Sequence, residues 1–222
     1  MNDSSSPSDP EAAYDAVAVD YAAHYYHELQ HKPFDRAILG RLAVIAGPLG
    51  PICDLGCGPG QIARYLHDHG ADAIGLDLSS QMVAEAQRLN PDIAFRQGTM
   101  LALPYDDSSL GGIAAFYSII HIPPVQRPAV FAEMWRVLRP GGAILIAFHL
   151  GDEVVHRDEW WGHPISLDGY LLKRPELEEE IREAGFHIVE SRERDPNPAV
   201  ENPTRRAYIL AQKPAGRAPR PE

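Results

Sequence analysis

Ile52-Cys53-Asp54-Leu55-Gly56-Cys57-Gly58-Pro59-Gly60-Gln61 is the stretch whose residue types and spacing can do binding chemistry. A short apolar run ends in an acid and then in three glycines at alternate positions; a helical pattern, Gln61-Ile62-Ala63-Arg64-Tyr65-Leu66, follows at once. This reads as the strand–turn–helix unit of a nucleotide-type site, where glycines let the backbone approach a ligand because no Cβ intervenes. A dinucleotide fingerprint would place Gly or Ala three residues after Gly58, where Gln61 stands. A pyrophosphate would want amide donors and no carboxylate nearby, yet Asp54 sits two residues ahead of the first glycine. A ligand with a cationic end accommodates that acid. A second apolar run, Ala73-Ile74-Gly75-Leu76, ends in Asp77, about 20 residues beyond the loop, where a carboxylate accepts both hydroxyls of a ribose. Ribose plus a cationic amino-acid tail describes S-adenosylmethionine (SAM) better than NAD.

The elements that must position these residues alternate as α/β. Residues 1–10 are rich in Ser, Asp and Pro and read as a disordered tail. Over 11–31, Ala13, Val17, Tyr21 and Tyr25 recur on one helical face. A second helix over 34–47 turns Ile38, Leu42 and Ile45 inward, and together they make a helical cap over 11–47. His24, His27 and His31 share one face of the first helix. They read as a solvated or lid-facing stripe, since no acid or Cys cluster in step with them suggests a metal site. Strands are expected over 51–55, 73–77, 93–97, 112–117, 143–149, 186–194 and 205–213. Helices are expected over 61–69, from a cap at Ser79 or Ser80 to residue 90, after Pro123-Pro124, and over 175–184.

Ligands of open α/β sheets bind outside the carboxyl ends of the strands. That rule brings Tyr117, His121 and His149 to one rim. His121 there either accepts a proton or orients a substrate, or is a satisfied loop histidine. His149 is a rim residue or a capping one. Residues 150–172 read as a long loop, which in a compact domain is usually functional. Trp160, Trp161, His163 and Tyr170 make it a substrate cover, with flat contact area and polar handles. Arg205-Arg206 reads as a solvated strand edge. The main domain is expected over 48–213, and 214–222 as a second disordered tail.

The chain has 222 residues and a net charge of -11, without the basic stripe that phosphate neutralisation needs, so no nucleic-acid partner is expected. Cys53 and Cys57 are the two cysteines. They suit neither a zinc site nor a disulfide framework, and imply a reducing, cytoplasmic setting. No apolar run reaches the ~18 residues of a membrane helix, and residues 1–10 hold no apolar core of a signal peptide.

Four motifs in order then carry a resemblance. Asp54-Leu55-Gly56-Cys57-Gly58-Pro59-Gly60, Gly75-Leu76-Asp77-Leu78-Ser79, Leu103-Pro104-Tyr105 and Val137-Leu138-Arg139-Pro140-Gly141-Gly142 resemble the successive motifs of class I SAM-dependent methyltransferases. The similarity is to the small-molecule branch that includes ubiquinone/menaquinone-biosynthesis-type enzymes. It implies a Rossmann-like, doubly wound sheet of seven mostly parallel strands in the order 3-2-1-4-5-7-6, with the last strand antiparallel and an N-terminal helical cap. It implies SAM as cofactor and S-adenosylhomocysteine (SAH) as product. It places Asp54, Gly56, Cys57, Gly58, Gly60, Asp77, Leu78, Met82, Thr99, Met100 and Tyr117 at the cofactor, with Tyr14 and Tyr21 reaching it from the cap and Met82 against the adenine. Thr99 departs from the pattern, standing where the family has an acid for the adenine amine; Gly111 departs likewise. The implied activity is SN2 methyl transfer to an O, N or C atom of a small-molecule acceptor of the aromatic or natural-product kind, with His121, His149 and Tyr117 at the transfer point. Two rivals stay open. One is a non-catalytic SAM-binding or partner-binding module, kept alive by Thr99 and Gly111. The other is a nicotinamide-dependent oxidoreductase, opposed by Gln61 and Asp54.

Overall fold

The apolar runs assemble into a central sheet. In the computed structural model, which describes residues 7–216, seven strands pair: β1 (Ile52–Leu55), β2 (Ala73–Asp77), β3 (Ala94–Gln97), β4 (Leu110–Phe116), β5 (Leu138–His149), β8 (His187–Arg194) and β9 (Arg206–Gln212). Their order is β3-β2-β1-β4-β5-β9-β8. β9 runs antiparallel to both its neighbours, β5 and β8. Two extra strands, β6 (Val154–Trp160) and β7 (His163–Tyr170), pair with each other off the sheet. Counted without them, the order is the expected 3-2-1-4-5-7-6.

Every residue of β1 and β4 is buried, as continuous apolar runs in a doubly covered parallel sheet require. One face carries α2 (Pro33–Ala46), α3 (Gln61–Asp68) and α4 (Ser80–Leu89), through Ile38, Leu42, Ile62, Leu66 and Val83. The other carries α5 (Arg127–Val137) and α6 (Arg174–Glu183), through Phe131, Met134, Leu177 and Ile181.

The chain is already structured before residue 10, against the disordered tail expected there. The Ser166 carbonyl accepts from the Asp9 amide at 2.8 Å. Asp9 caps α1 (Pro10–Tyr25), accepting from the Ala12 amide, and Pro10 takes the first turn, where no amide is needed. Residues 1–6 and 217–222, which carry the rest of the expected tails, lie outside the described residues. α1 stops at Tyr25, and a 3-10 turn covers Glu28–His31. His27 and His31 therefore lie past the helix, and the single histidine face does not form. Among the described residues, no cluster of three His, Cys, Asp or Glu side chains is placed to hold a metal. No helix among them is long and apolar enough to cross a membrane.

α1 lies across α4. Asp15 accepts from the Ser79 hydroxyl at 2.6 Å and the Gln81 amide at 3.0 Å, while Val17 and Ala18 pack on Met82. This corrects the place expected for Met82: it is fully buried beneath the cap and borders no cavity described below.

Residues 150–172 are not a loop but largely the β6–β7 hairpin. Trp160 pairs with His163 across a two-residue turn, Trp161-Gly162, with φ +52° and +81°. Positive φ at both positions is the turn geometry that matches strand twist, and it favours Asn or Gly over Trp. Trp161 holds it by stacking on His24 and on Trp160, at centroid distances of 4.4 Å and 5.0 Å.

Candidate active site

The glycine turn leaves β1 at the sheet's carboxyl edge. Gly56 has φ +73°, and a Cβ there would lie 2.3 Å from that of Ser118. Only glycine serves at that position. Asp54, 1 % exposed, accepts from the Ala63 amide at 3.0 Å. It thereby ties β1 to the first turn of α3, and burial pushes its carboxyl up to about 8. It borders neither cavity, so its place is beneath the loop.

Asp77 ends β2. Its Oδ2 accepts from the Gly58 amide at 2.8 Å and its Oδ1 from the Ser79 amide at 2.9 Å. Burial raises its pKa, against the pull of those donors. The Leu78 amide pulls on the same carboxylate, which with about four acceptor positions still has capacity for a ligand. Asp77 lies at a cavity of about 100 Å³ that Leu78, Gly98, Thr99 and Met100 also line. Thr99 Oγ1 accepts from the Leu101 amide at 3.2 Å. Beside it lies a cavity of about 980 Å³. The two share Tyr14, Tyr21, Gly56, Gly58, Phe116, Tyr117 and His121 as a common wall.

His121 bridges three elements. Its Nδ1 faces the Asp168 carbonyl at 2.7 Å, an acceptor only, so Nδ1 carries the proton. Nε2 then accepts from the Tyr14 hydroxyl at 2.8 Å. Burial lowers the pKa of His121 and, with the Asp77 charge added, raises that of Tyr14. The pair is therefore neutral.

Tyr117, just past β4, has φ +55°. A bulky residue in that region is strained, and such strain collects at functional sites. Its hydroxyl lies 3.0 Å from that of Tyr208, whose own proton goes to Asp35 at 2.6 Å. Tyr117 therefore donates inward and offers the cavities its ring. The His149 ring lies 4.8 Å from it, and His149 Nδ1 is 2.8 Å from Thr204 Oγ1. Burial first, then Arg206 and Lys32, lower the His149 pKa to about 4. The unfolded chain, with the ordinary value of 6.5, takes up the proton more readily. Stability should therefore fall as pH drops from about 6.5 towards 4, and level off below. Thermal midpoints of wild type and His149→Gln across that range check this: the variant's fall should be shallower.

α1 and the hairpin make the roof. Trp160 meets Tyr14 and Tyr21 edge-on at 5.8 Å and 5.6 Å. Trp160, Trp161 and Tyr170 line the larger cavity. His163 does not, against expectation: its Nε2 meets Asp20 Oδ2 at 2.9 Å and latches the hairpin to α1. Cys57 lines the larger cavity, and burial holds its thiol well above its ordinary pKa, so no thiolate forms there. Gly60 sits behind the turn, where a Cβ would lie 2.8 Å from both Asn90 and Phe95.

Among the wall residues that the sequence reading did not place at the site are Glu28, Lys32 and Arg206. Arg206, expected on a solvated edge, is 3 % exposed. The signal for it is the continuous apolar run that follows, residues 207–211, which marks a strand buried on both faces. Gly111 also has a structural cause. A Cβ there would come 2.4 Å from the Ala46 carbonyl oxygen and 2.7 Å from the Gly50 amide nitrogen. The end of α2 fills the space an acid would need.

Comparison with known proteins agrees with this geometry. Residues 52–142 match the family described as "Methyltransferase domain". An uncharacterized methyltransferase of Synechocystis is 30 % identical, over 70 % of this chain and 74 % of that protein. A malonyl-[acyl-carrier protein] O-methyltransferase of Enterobacter lignolyticus is 31 % identical, over 68 % of this chain and 57 % of its own length. A crystal structure of a SAM-dependent methyltransferase from Methanosarcina mazei superposes with a TM-score of 0.67 at 19 % identity, covering 74 % of this chain and 92 % of that one. The chain belongs to the class I SAM-dependent methyltransferases, whose cofactor is SAM. It spans about half the length of the first curated relatives it matches.

Proposed function

We propose that the protein moves a methyl group from SAM to an O, N or C atom of a small-molecule acceptor. One observation carries the reading: the cavity at Asp77 and the larger cavity meet at a shared wall of Gly56, Gly58, Tyr117, His121 and Tyr14. The residues fit the cofactor. Asp77 has lone pairs for the ribose, Leu78 and Met100 give apolar contact for the adenine, and the Gly56–Gly58 turn admits the methionine portion. SAM supplies an electrophilic methyl on a cationic sulfur. The chain's own residues hold the acceptor in line with it, which is worth several powers of ten in rate. Trp160 and Trp161 line the larger cavity and supply the apolar cover that displaces water around a bound acceptor. His121 and His149 are both neutral and below their ordinary pKa, so orientation rather than strong base catalysis is their part. The two buried thiols suit a reducing, cytoplasmic compartment.

Transfer of labelled methyl from SAM to members of a small-molecule panel tests the reading, with calorimetric titration of SAM against NAD beside it. NAD binding without SAM binding overturns it. His121→Ala should lower turnover about tenfold, through loss of the Tyr14 and Asp168 contacts that orient the wall. It should leave the SAM dissociation constant within about twofold. Wild-type turnover would make His121 a bystander.

A further inference from the structure

On the SAM-dependent reading above, we propose that the acceptor is an organic acid whose carboxylate is held by Arg206. Arg206 opens β9, is nearly fully buried, and still lines the larger cavity. Its Nη1 donates to the carbonyls of Asn202 at 3.2 Å and Thr204 at 2.6 Å. Its Nε, 3.4 Å from Glu201 Oε1, has no hydrogen-bond partner among the described residues. Glu201 is already engaged. Its two oxygens accept from Arg194 at 2.6 Å and 2.7 Å, and one also accepts from the Asn197 amide at 2.6 Å.

Lys32, 8 % exposed, stands on the same cavity wall. Its Nζ pairs with Glu28 at 2.5 Å and lies 4.0 Å from Glu201. The acids and cations of this wall balance in number, Glu28, Glu159 and Glu201 against Lys32, Arg157 and Arg206, but His149 reports the field beside Arg206. After burial, Arg206 and Lys32 lower its pKa, and Glu201 opposes them less strongly. Nε is closed off from the cavity beside Glu201 and Nη1 is spent on the two carbonyls, so Nη2 is the guanidinium nitrogen left for a ligand. A charged N–H of that kind donates strongly to a carboxylate. The place is also right. The guanidinium carbon is 6.0 Å from the centre of the Tyr117 ring, and Tyr117 borders both cavities. An acid held by Arg206 therefore lies close to the transfer point. The ester or amide of the same acid would leave the guanidinium unmatched, so the site discriminates by charge.

Calorimetric titration of the SAH-loaded protein with benzoate and with benzamide tests this, because the two probes share a ring and differ in charge. Wild type should bind benzoate about tenfold or more tightly than benzamide. Arg206→Gln should abolish that preference and Arg206→Lys reduce it, both with SAH affinity unchanged. The wild-type comparison decides even if a variant fails to fold. Equal binding of the two probes, no benzoate binding, or a preference that survives in both variants overturns the proposal. Failure of SAH itself to bind removes the methyl-donor reading and the acid acceptor with it. Normal SAH binding without charge preference removes the acid alone.

Discussion

Asp77→Ala should raise the dissociation constant for SAM by about 100-fold, the equivalent of two hydrogen bonds to a charged group. The size follows from two roles in one side chain. The carboxylate accepts from the Gly58 and Ser79 amides, so it fixes the glycine turn relative to the start of α4. Asp77 also lines the smaller cavity, where the proposed function puts the ribose. Alanine removes both the acceptor for the ribose and the brace for the turn. Asp77→Asn keeps the shape but turns an NH2 towards one backbone donor, and should lose nearly as much. Calorimetry with SAH, which needs no acceptor, measures the effect. A dissociation constant within about threefold of wild type in Asp77→Ala would sink the ribose assignment.

What the sequence yields here is what is local. The run from Ile52 to Gln61 is strand, turn and helix within ten residues, and its glycines are demanded by φ values that the chain imposes on itself. The strands follow from apolar runs of the right length, whereas their order comes from the family resemblance alone. What escapes is set by residues distant in the chain. His163 meets Asp20 across 143 positions, and no local pattern announces that latch. Met82 has the periodicity of α4, but only the crossing of α1 decides that it is covered. The β6–β7 hairpin is hidden because its turn holds Trp where Asn or Gly is the usual signal, and because the polar and charged run over residues 156–159 interrupts the apolar alternation of its first strand. Arg206 opens an apolar run buried on both faces of its strand, but its charge masks that position. Of the two departures that favoured a non-catalytic module, Gly111 has a steric origin at Ala46 and Gly50, which leaves Thr99 alone.

Asp35→Ala should cost about 3 kcal/mol of stability, as removal of one partner from a buried ion pair does, and lower the thermal midpoint by about 6–12 °C in a domain of this size. Asp35 sits on α2, 1 % exposed. Its Oδ1 accepts from Arg194 Nη2 at 2.9 Å and from the Tyr208 hydroxyl at 2.6 Å. It thus joins the helical cap to β8 and β9. Without it Arg194 still has Glu201, but the Tyr208 hydroxyl loses its acceptor. Tyr208 is then free to turn its proton towards Tyr117, which must give up its own donation. The strained backbone at Tyr117 depends on that anchor, so SAH affinity should also fall, by less than in Asp77→Ala. Asp35→Asn keeps an acceptor for Tyr208 while removing the charge that faces Arg194, so the two variants separate the ion pair from the tyrosine relay. Calorimetric unfolding of both reads the difference. If Asp35→Ala unfolds within about 2 °C of wild type, the network contributes little and the wall at Tyr117 is held by packing.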